Sequence, residues 1–130
     1  MGGQPTRSLT LDAGALIAVE QDQRPVLIAV YNALRKGAAV LVPAGVLAQV
    51  WRGGARQARL VRMLNQHGVC LVPLDGLQAR LIGILCARRQ HNDVVDGSVA
   101  VTARQNKSLV LTSDPDDIRR LDPNLPVEKI

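Results

Sequence analysis

The stretch Ser8-Leu9-Thr10-Leu11-Asp12-Ala13-Gly14-Ala15-Leu16-Ile17-Ala18-Val19 reads as a short strand over 8–11, one carboxylate, and then a helix over 13–19. The same order returns along the chain. Strands are expected over 39–42, 69–72, 108–111 and 127–130. Further helices are expected over 25–36, 44–51, 56–66, 77–90 and 94–105. All strands but the last lean on Leu or Val with little polar alternation, as strands buried on both faces do. Leu77, Leu81, Ile84 and Leu85 share one apolar helix face. Gly53-Gly54 interrupts a helical pattern and marks a turn. Strands alternating with helices predict an α/β fold: a three-layer α/β/α domain around a mostly parallel sheet. At 130 residues, without a linker or repeat, the chain reads as one domain over 1–130.

Composition narrows the function. Hydrophobic residues make up 47% of the chain, yet Phe is absent and Trp51 and Tyr31 are the only large aromatics. The core must be built from Leu, Val, Ile and Ala, and a sheet that stacks RNA bases on aromatic rings is excluded. The net charge of +5 suits an anionic partner such as nucleic acid, and suits a soluble basic surface equally well. Cys70 and Cys86 each sit in an apolar run, where a buried thiol is the expectation, and form no disulfide framework or zinc motif. Residues 1–10 lack an apolar signal core, and no apolar run approaches the ~18 residues of a membrane span. The chain therefore reads as cytoplasmic, with no membrane contact.

The acidic residues carry the chemical signal. There are eleven, and none lies between Asp22 and Asp75. Asp12 and Asp114 follow predicted strands, while Asp93 and Asp96 open the helix over 94–105. Open parallel sheets bind ligands at the carboxyl ends of their strands, where Asp12 and Asp114 would converge. Crowded carboxylates repel, and a hard divalent cation, Mg²⁺ or Mn²⁺, resolves the repulsion. Such an ion activates water and offsets phosphoryl charge, the chemistry of phosphodiester hydrolysis. Each residue alone also fits a helix cap or turn, since Asp favours N-caps and Ser113-Asp114-Pro115-Asp116-Asp117 is turn-rich.

Four blocks in order resemble the PIN domain, in particular VapC-type toxins of bacterial type II toxin–antitoxin pairs. They are Leu9-Thr10-Leu11-Asp12-Ala13-Gly14-Ala15-Leu16, residues 41–52 (LVPAGVLAQVWR), residues 92–103 (NDVVDGSVAVTA) and residues 109–118 (LVLTSDPDDI). The resemblance spans essentially the whole chain. It implies a Mg²⁺- or Mn²⁺-dependent endoribonuclease acting on RNA, with Asp12, Asp96 and Asp114 as catalytic metal ligands and the Thr112 and Ser113 hydroxyls lining the pocket. It also implies a homodimer and a VapB-type antitoxin whose C-terminal segment covers the active-site groove. One position departs from the pattern: Gln49 stands where the family's second acidic residue, usually Glu, is expected. Asp93 and Asp117 are the carboxylates placed to compensate. The departure leaves open a second reading, a PIN-like RNA- or protein-binding scaffold with weak or lost nuclease activity.

Other features carry less. Arg56, Arg59 and Arg62 recur at helical spacing, with Arg52 just before the Gly pair, and are RNA-contact candidates or a solvated face. Trp51 is expected in core or dimer packing. His67 and His91 are isolated, neither at metal-motif spacing. A phosphoacceptor receiver domain wants an acidic pair after its first strand and a late Lys, and Leu11-Asp12-Ala13 offers one Asp. A dinucleotide enzyme wants a GxGxxG after that strand, which is lacking.

Overall fold

The computed structural model describes residues 7–130, so residues 1–6 of the N-terminal stretch read as lacking a signal core lie outside the described residues. The elements run β1 (Leu9–Leu11), α1 (Ala13–Glu20), α2 (Arg24–Arg35), β2 (Val40–Pro43), α3 (Ala44–Val50), a 3-10 turn (Ala55–Gln57), α4 (Ala58–Leu64), β3 (Val69–Val72), α5 (Gly76–Arg89), α6 (Val94–Asn106), β4 (Leu109–Thr112), α7 (Pro115–Leu121) and β5 (Val127–Lys129).

The five strands form one sheet in the order β3-β2-β1-β4-β5, and every pairing is parallel. Parallel strands need crossovers, and the helices supply them. Helix α1 packs against α2, α3 and α4 in one layer, and α5, α6 and α7 pack together in the other. This is the expected three-layer α/β/α architecture. Strand β1 is fully buried at the centre of the sheet, and Leu11, Leu16, Val40, Val42, Val110 and Leu111 fill the core around it without any aromatic ring.

Four expectations change. Strand β3, read as buried on both faces, is an edge strand: Leu71 is 52% exposed and the Cys70 thiol lies at the surface rather than in the core. The helix read over 56–66 begins as a 3-10 turn, because the buried Gln57 turns its side chain back to the loop before it. The turn read at 113–117 continues into α7. Pro115 takes the first helical position, where its missing N–H costs nothing, and Ile118 and Leu121 are buried. Arg119 and Arg120 close that helix and reach back to Asp116 and Asp117. Trp51, finally, is 44% exposed just beyond the end of α3 and is no core residue.

The apolar stripe of α5 also faces out. Ile82 and Cys86 are the buried residues of that helix, while Leu77, Leu81 and Ile84 are exposed. Among the described residues no helix is long and apolar enough to cross a membrane.

Candidate active site

The strand order decides where a ligand can sit. From β1 the chain moves to β2 on one side and later returns to β4 on the other, which opens a crevice at the carboxyl ends of β1 and β4. Asp12 lies there directly after β1, and its N–H donates to the Leu111 carbonyl at 3.2 Å. Its Oδ1 accepts the Ala15 N–H at 2.8 Å, so Asp12 is also the N-cap of α1. The pairing of Leu11 with Leu111 brings Thr112 alongside. Thr112 is fully buried and accepts the Asp114 N–H at 2.9 Å on its hydroxyl. One hydroxyl thereby links the two strand ends that carry Asp12 and Asp114.

Gly14 makes this closeness possible. A Cβ added there would collide with the Ser113 hydroxyl and lie 2.7 Å from the Ser113 Cβ, too close for rotation of one side chain to relieve. Gly14→Ala is expected to force α1 away from the β4–α7 turn and to cost about 1–3 kcal/mol of stability. Denaturant unfolding checks this; an unchanged midpoint would mean that the turn yields freely.

Helix α6 delivers the remaining carboxylates. Its C-terminus feeds the start of β4, so its N-terminus lies at the crevice end. Asp93 caps it, with Oδ1 accepting the N–H groups of Val95 at 2.9 Å and Asp96 at 3.1 Å. Asp96 sits in the first turn, and its Oδ2 lies 3.1 Å from Nε2 of His91. Asp114 caps α7 through a 3.4 Å contact with the Asp117 N–H, and Asp117 pairs with Arg120 at 3.1 Å. The capping role read from sequence thus holds for Asp12 and Asp93, and Asp114, read as a turn residue, is a cap as well. It does not account for Asp96, whose side chain caps nothing.

Burial pushes the Asp12 carboxyl above its ordinary value, against the pull of Thr112 and the N–H groups of Ala15, Ser113 and Gly14. Burial raises Asp96 too, opposed by His91 and reinforced by the charges of Asp93 and Asp117. Asp117 is raised by desolvation and by Asp114. These influences tie Asp96, Asp117 and Asp114 into one field around His91. Burial, with the Asp93 and Asp96 charges, also raises the Cys86 thiol, so it stays protonated and inert.

The raised carboxyls set a pH dependence. The folded chain holds these protons more tightly than the unfolded chain, whose Asp value is 3.8. Their contribution to stability without metal is therefore fully present below that value and is lost as pH rises through the raised folded values. Asp96→Asn is expected to flatten that fall in thermal unfolding between pH 4 and pH 8. A variant that keeps the full slope would show that Asp96 contributes nothing to it.

Among the described residues no three His, Cys, Asp or Glu side chains are drawn together into a ready metal cluster. The donor chemistry nevertheless fits a hydrated ion. Asp96 uses one carboxylate oxygen on His91 and leaves the other open, while Asp12 and Asp114 are carboxylates that also cap α1 and α7. Mg²⁺ keeps several of its waters and takes one or two carboxylates together with substrate phosphate.

The other candidates separate. Gln49 is exposed on α3 and lines a cavity of about 280 Å³ with Ile17, Glu20, Arg52, Arg56 and Gln57. No hydrogen bond or charge acting on Asp12 or Asp96 comes from it. Arg52 and Arg56 share that cavity, Arg59 pairs with Asp22 at 3.6 Å, and Arg62 is exposed in the last turn of α4. The four Arg do not act as one face. Sequence places His91 close to Asp93 and within reach of the pocket, without a motif to give it a role; its partner is Asp96. Gln57 carried no signal at all. It is 2% exposed, accepts from the Arg52 and Gly53 N–H groups, and donates to Glu20 and the Val50 carbonyl.

No protein-family model and no curated protein matches this sequence. Solved structures do resemble its fold. VapBC2 from Rickettsia felis, bound to a DNA fragment from its promoter, is similar with a TM-score of 0.73 and 14% identity, over 95% of this chain and 98% of that one. FitAcB from Neisseria gonorrhoeae is similar with a TM-score of 0.62 and 19% identity, over 92% and 95%. The PIN domain endonuclease Utp24 is similar with a TM-score of 0.61 and 16% identity, over 97% and 86%. With its all-parallel five-stranded sheet between two helical layers, this chain shares the PIN-domain fold.

Proposed function

We propose that this chain is a divalent-metal-dependent endoribonuclease and the toxin of a type II toxin–antitoxin pair. The observation that supports the reading is the placement of Asp12, Asp96 and Asp114 at the starts of α1, α6 and α7, at the carboxyl end of the parallel sheet. Asp12, Asp96 and Asp114 would hold Mg²⁺ or Mn²⁺, which when bound supplies an activated water and charge opposite the phosphoryl oxygens. The chain's own part is positional. The Ala15 N–H and Thr112 orient Asp12, His91 holds Asp96, and the Ser113 hydroxyl borders the pocket against Gly14. Arg52 and Arg56, which share the Gln49 cavity, would offer cations to RNA phosphates.

Incubation of the purified protein with total RNA tests the reading. Cleavage is expected with Mg²⁺ or Mn²⁺ and not with chelator; equal cleavage in excess chelator overturns the metal mechanism. Gln49 favours a second reading, a scaffold that binds RNA or protein with weak or lost cleavage. Gln49→Glu separates the two. A wild type that binds RNA and metal without cleaving, beside a variant that cleaves, supports the scaffold.

The likeness to VapBC2, solved with a DNA fragment from its promoter, supports a VapB-type antitoxin as partner. We place the homodimer contact on the exposed stripe Leu77, Leu81 and Ile84 of α5, an apolar surface left without cover in the single chain. Light scattering is expected to give twice the chain mass for wild type and the single mass for Leu81→Asp. A monomeric wild type at high concentration refutes the dimer.

A further inference from the structure

His91 has no role in the sequence pattern, yet it is among the most firmly placed side chains at the crevice. Helix α5 ends with Gln90 in the left-handed region at φ 53°, and the His91 N–H then donates to the Cys86 carbonyl at 3.0 Å. This closing turn aims the ring at the next helix. The spacing of the two helices is set by Gly97, adjacent to Asp96. A Cβ there would lie 2.8 Å from the Cys86 sulfur and 2.9 Å from the Ile82 Cγ2. The bare Gly97 backbone lets α5 and α6 approach until His91 Nε2 meets Asp96 Oδ2 at 3.1 Å. Both groups are largely shielded, with 13% and 23% of their side chains exposed, so water competes weakly for the bond.

We propose that His91 is a positioning residue: through Nε2 it fixes one oxygen of Asp96 and leaves the other presented to a divalent cation. The inference rests on the metal reading of the site. A carboxylate without this bond turns about its χ angles, and a ligand that must first be ordered binds more weakly. Partners that orient metal-ligating groups typically contribute ten- to a hundred-fold in metal affinity. Asp96 depends on His91 more than Asp12 does on any one partner. Asp12 is held by the start of α1, while Asp96 is exempt from capping and has no other side-chain bond.

Calorimetric titration of the whole chain with Mn²⁺ alone, without RNA, tests the proposal. His91→Ala is expected to weaken Mn²⁺ binding by about ten- to a hundred-fold. His91→Gln, whose amide can donate to the same oxygen, is expected to recover most of it, with thermal unfolding of both variants close to wild type. A wild type that binds Mn²⁺ and a His91→Ala variant that binds it within two-fold would overturn the positioning role and leave the metal site standing. Equal loss in His91→Gln and His91→Ala would assign the effect to packing and also overturn it. A wild type that binds no Mn²⁺ would overturn the metal reading and this inference with it.

Discussion

Asp12→Asn, Asp96→Asn and Asp114→Asn are each expected to lower RNA cleavage by about ten- to a thousand-fold, equivalent to ~1.4–4 kcal/mol of transition-state stabilisation. The substitution keeps the shape and removes one charge. At Asp12 and Asp114 it also keeps an oxygen that can accept the N–H of Ala15 or Asp117, so α1 and α7 stay capped. Loss of cleavage with an unchanged circular dichroism spectrum therefore reports chemistry rather than folding. Without metal the Asp12 and Asp96 variants are expected to be at least as stable as wild type at neutral pH, because the carboxylates they replace are charged and partly buried. Asp93→Asn is expected to be milder, since its carboxylate is occupied with the Val95 and Asp96 N–H groups. A gel assay with Mn²⁺ in which all three primary variants cleave at the wild-type rate would remove these residues from the reaction.

Gln57→Leu is expected to cost about 2–4 kcal/mol of stability. The volume change is small, so the effect isolates hydrogen bonding. Gln57 accepts two N–H groups at 2.9 Å, from Arg52 and Gly53, and donates at 2.9 Å to the Val50 carbonyl and at 3.1 Å to Glu20. Leu satisfies none of them, and the donors of the loop lose their partner at a part-buried site. Gly53 and Gly54 hold positive φ angles of 78° and 94°, so that loop has few ways to find substitutes without losing its path. Urea unfolding measures the cost. A shift under half a kcal/mol would mean that water already serves these groups.

Much of this architecture was written in periodicity. Short runs rich in Leu and Val between longer helical patterns are what a buried parallel sheet requires, so the strands and most helices were legible. The placement of Asp12 and Asp114 just beyond strand ends was legible for the same reason, because strand ends are visible in sequence. What escaped depends on contacts between distant segments. Only the packing of α5 on α6 shows that His91 meets Asp96. Only the strand order shows that β3 is an edge and Cys70 exposed, since an edge strand and a central one can share a composition. Gln57 looks like any surface Gln until Val50, Arg52 and Gly53 are folded around it. Helix α7 was hidden by Asp114-Pro115, a pair that starts helices and turns alike.

The position of β1 also has a consequence in time. Of the five described strands it is made first, yet one of its two neighbours is β4, nearly a hundred residues later. Chains fold from the N-terminus as they are made, and β1 can pair early with β2 alone. Its open side must wait for Leu109–Thr112, and Asp12 meets Thr112 and Asp114 only after that wait. A growing chain therefore carries Asp12 without the rest of the site until Leu109–Thr112 has been made. Whatever chemistry the crevice performs waits until the sheet closes at its centre.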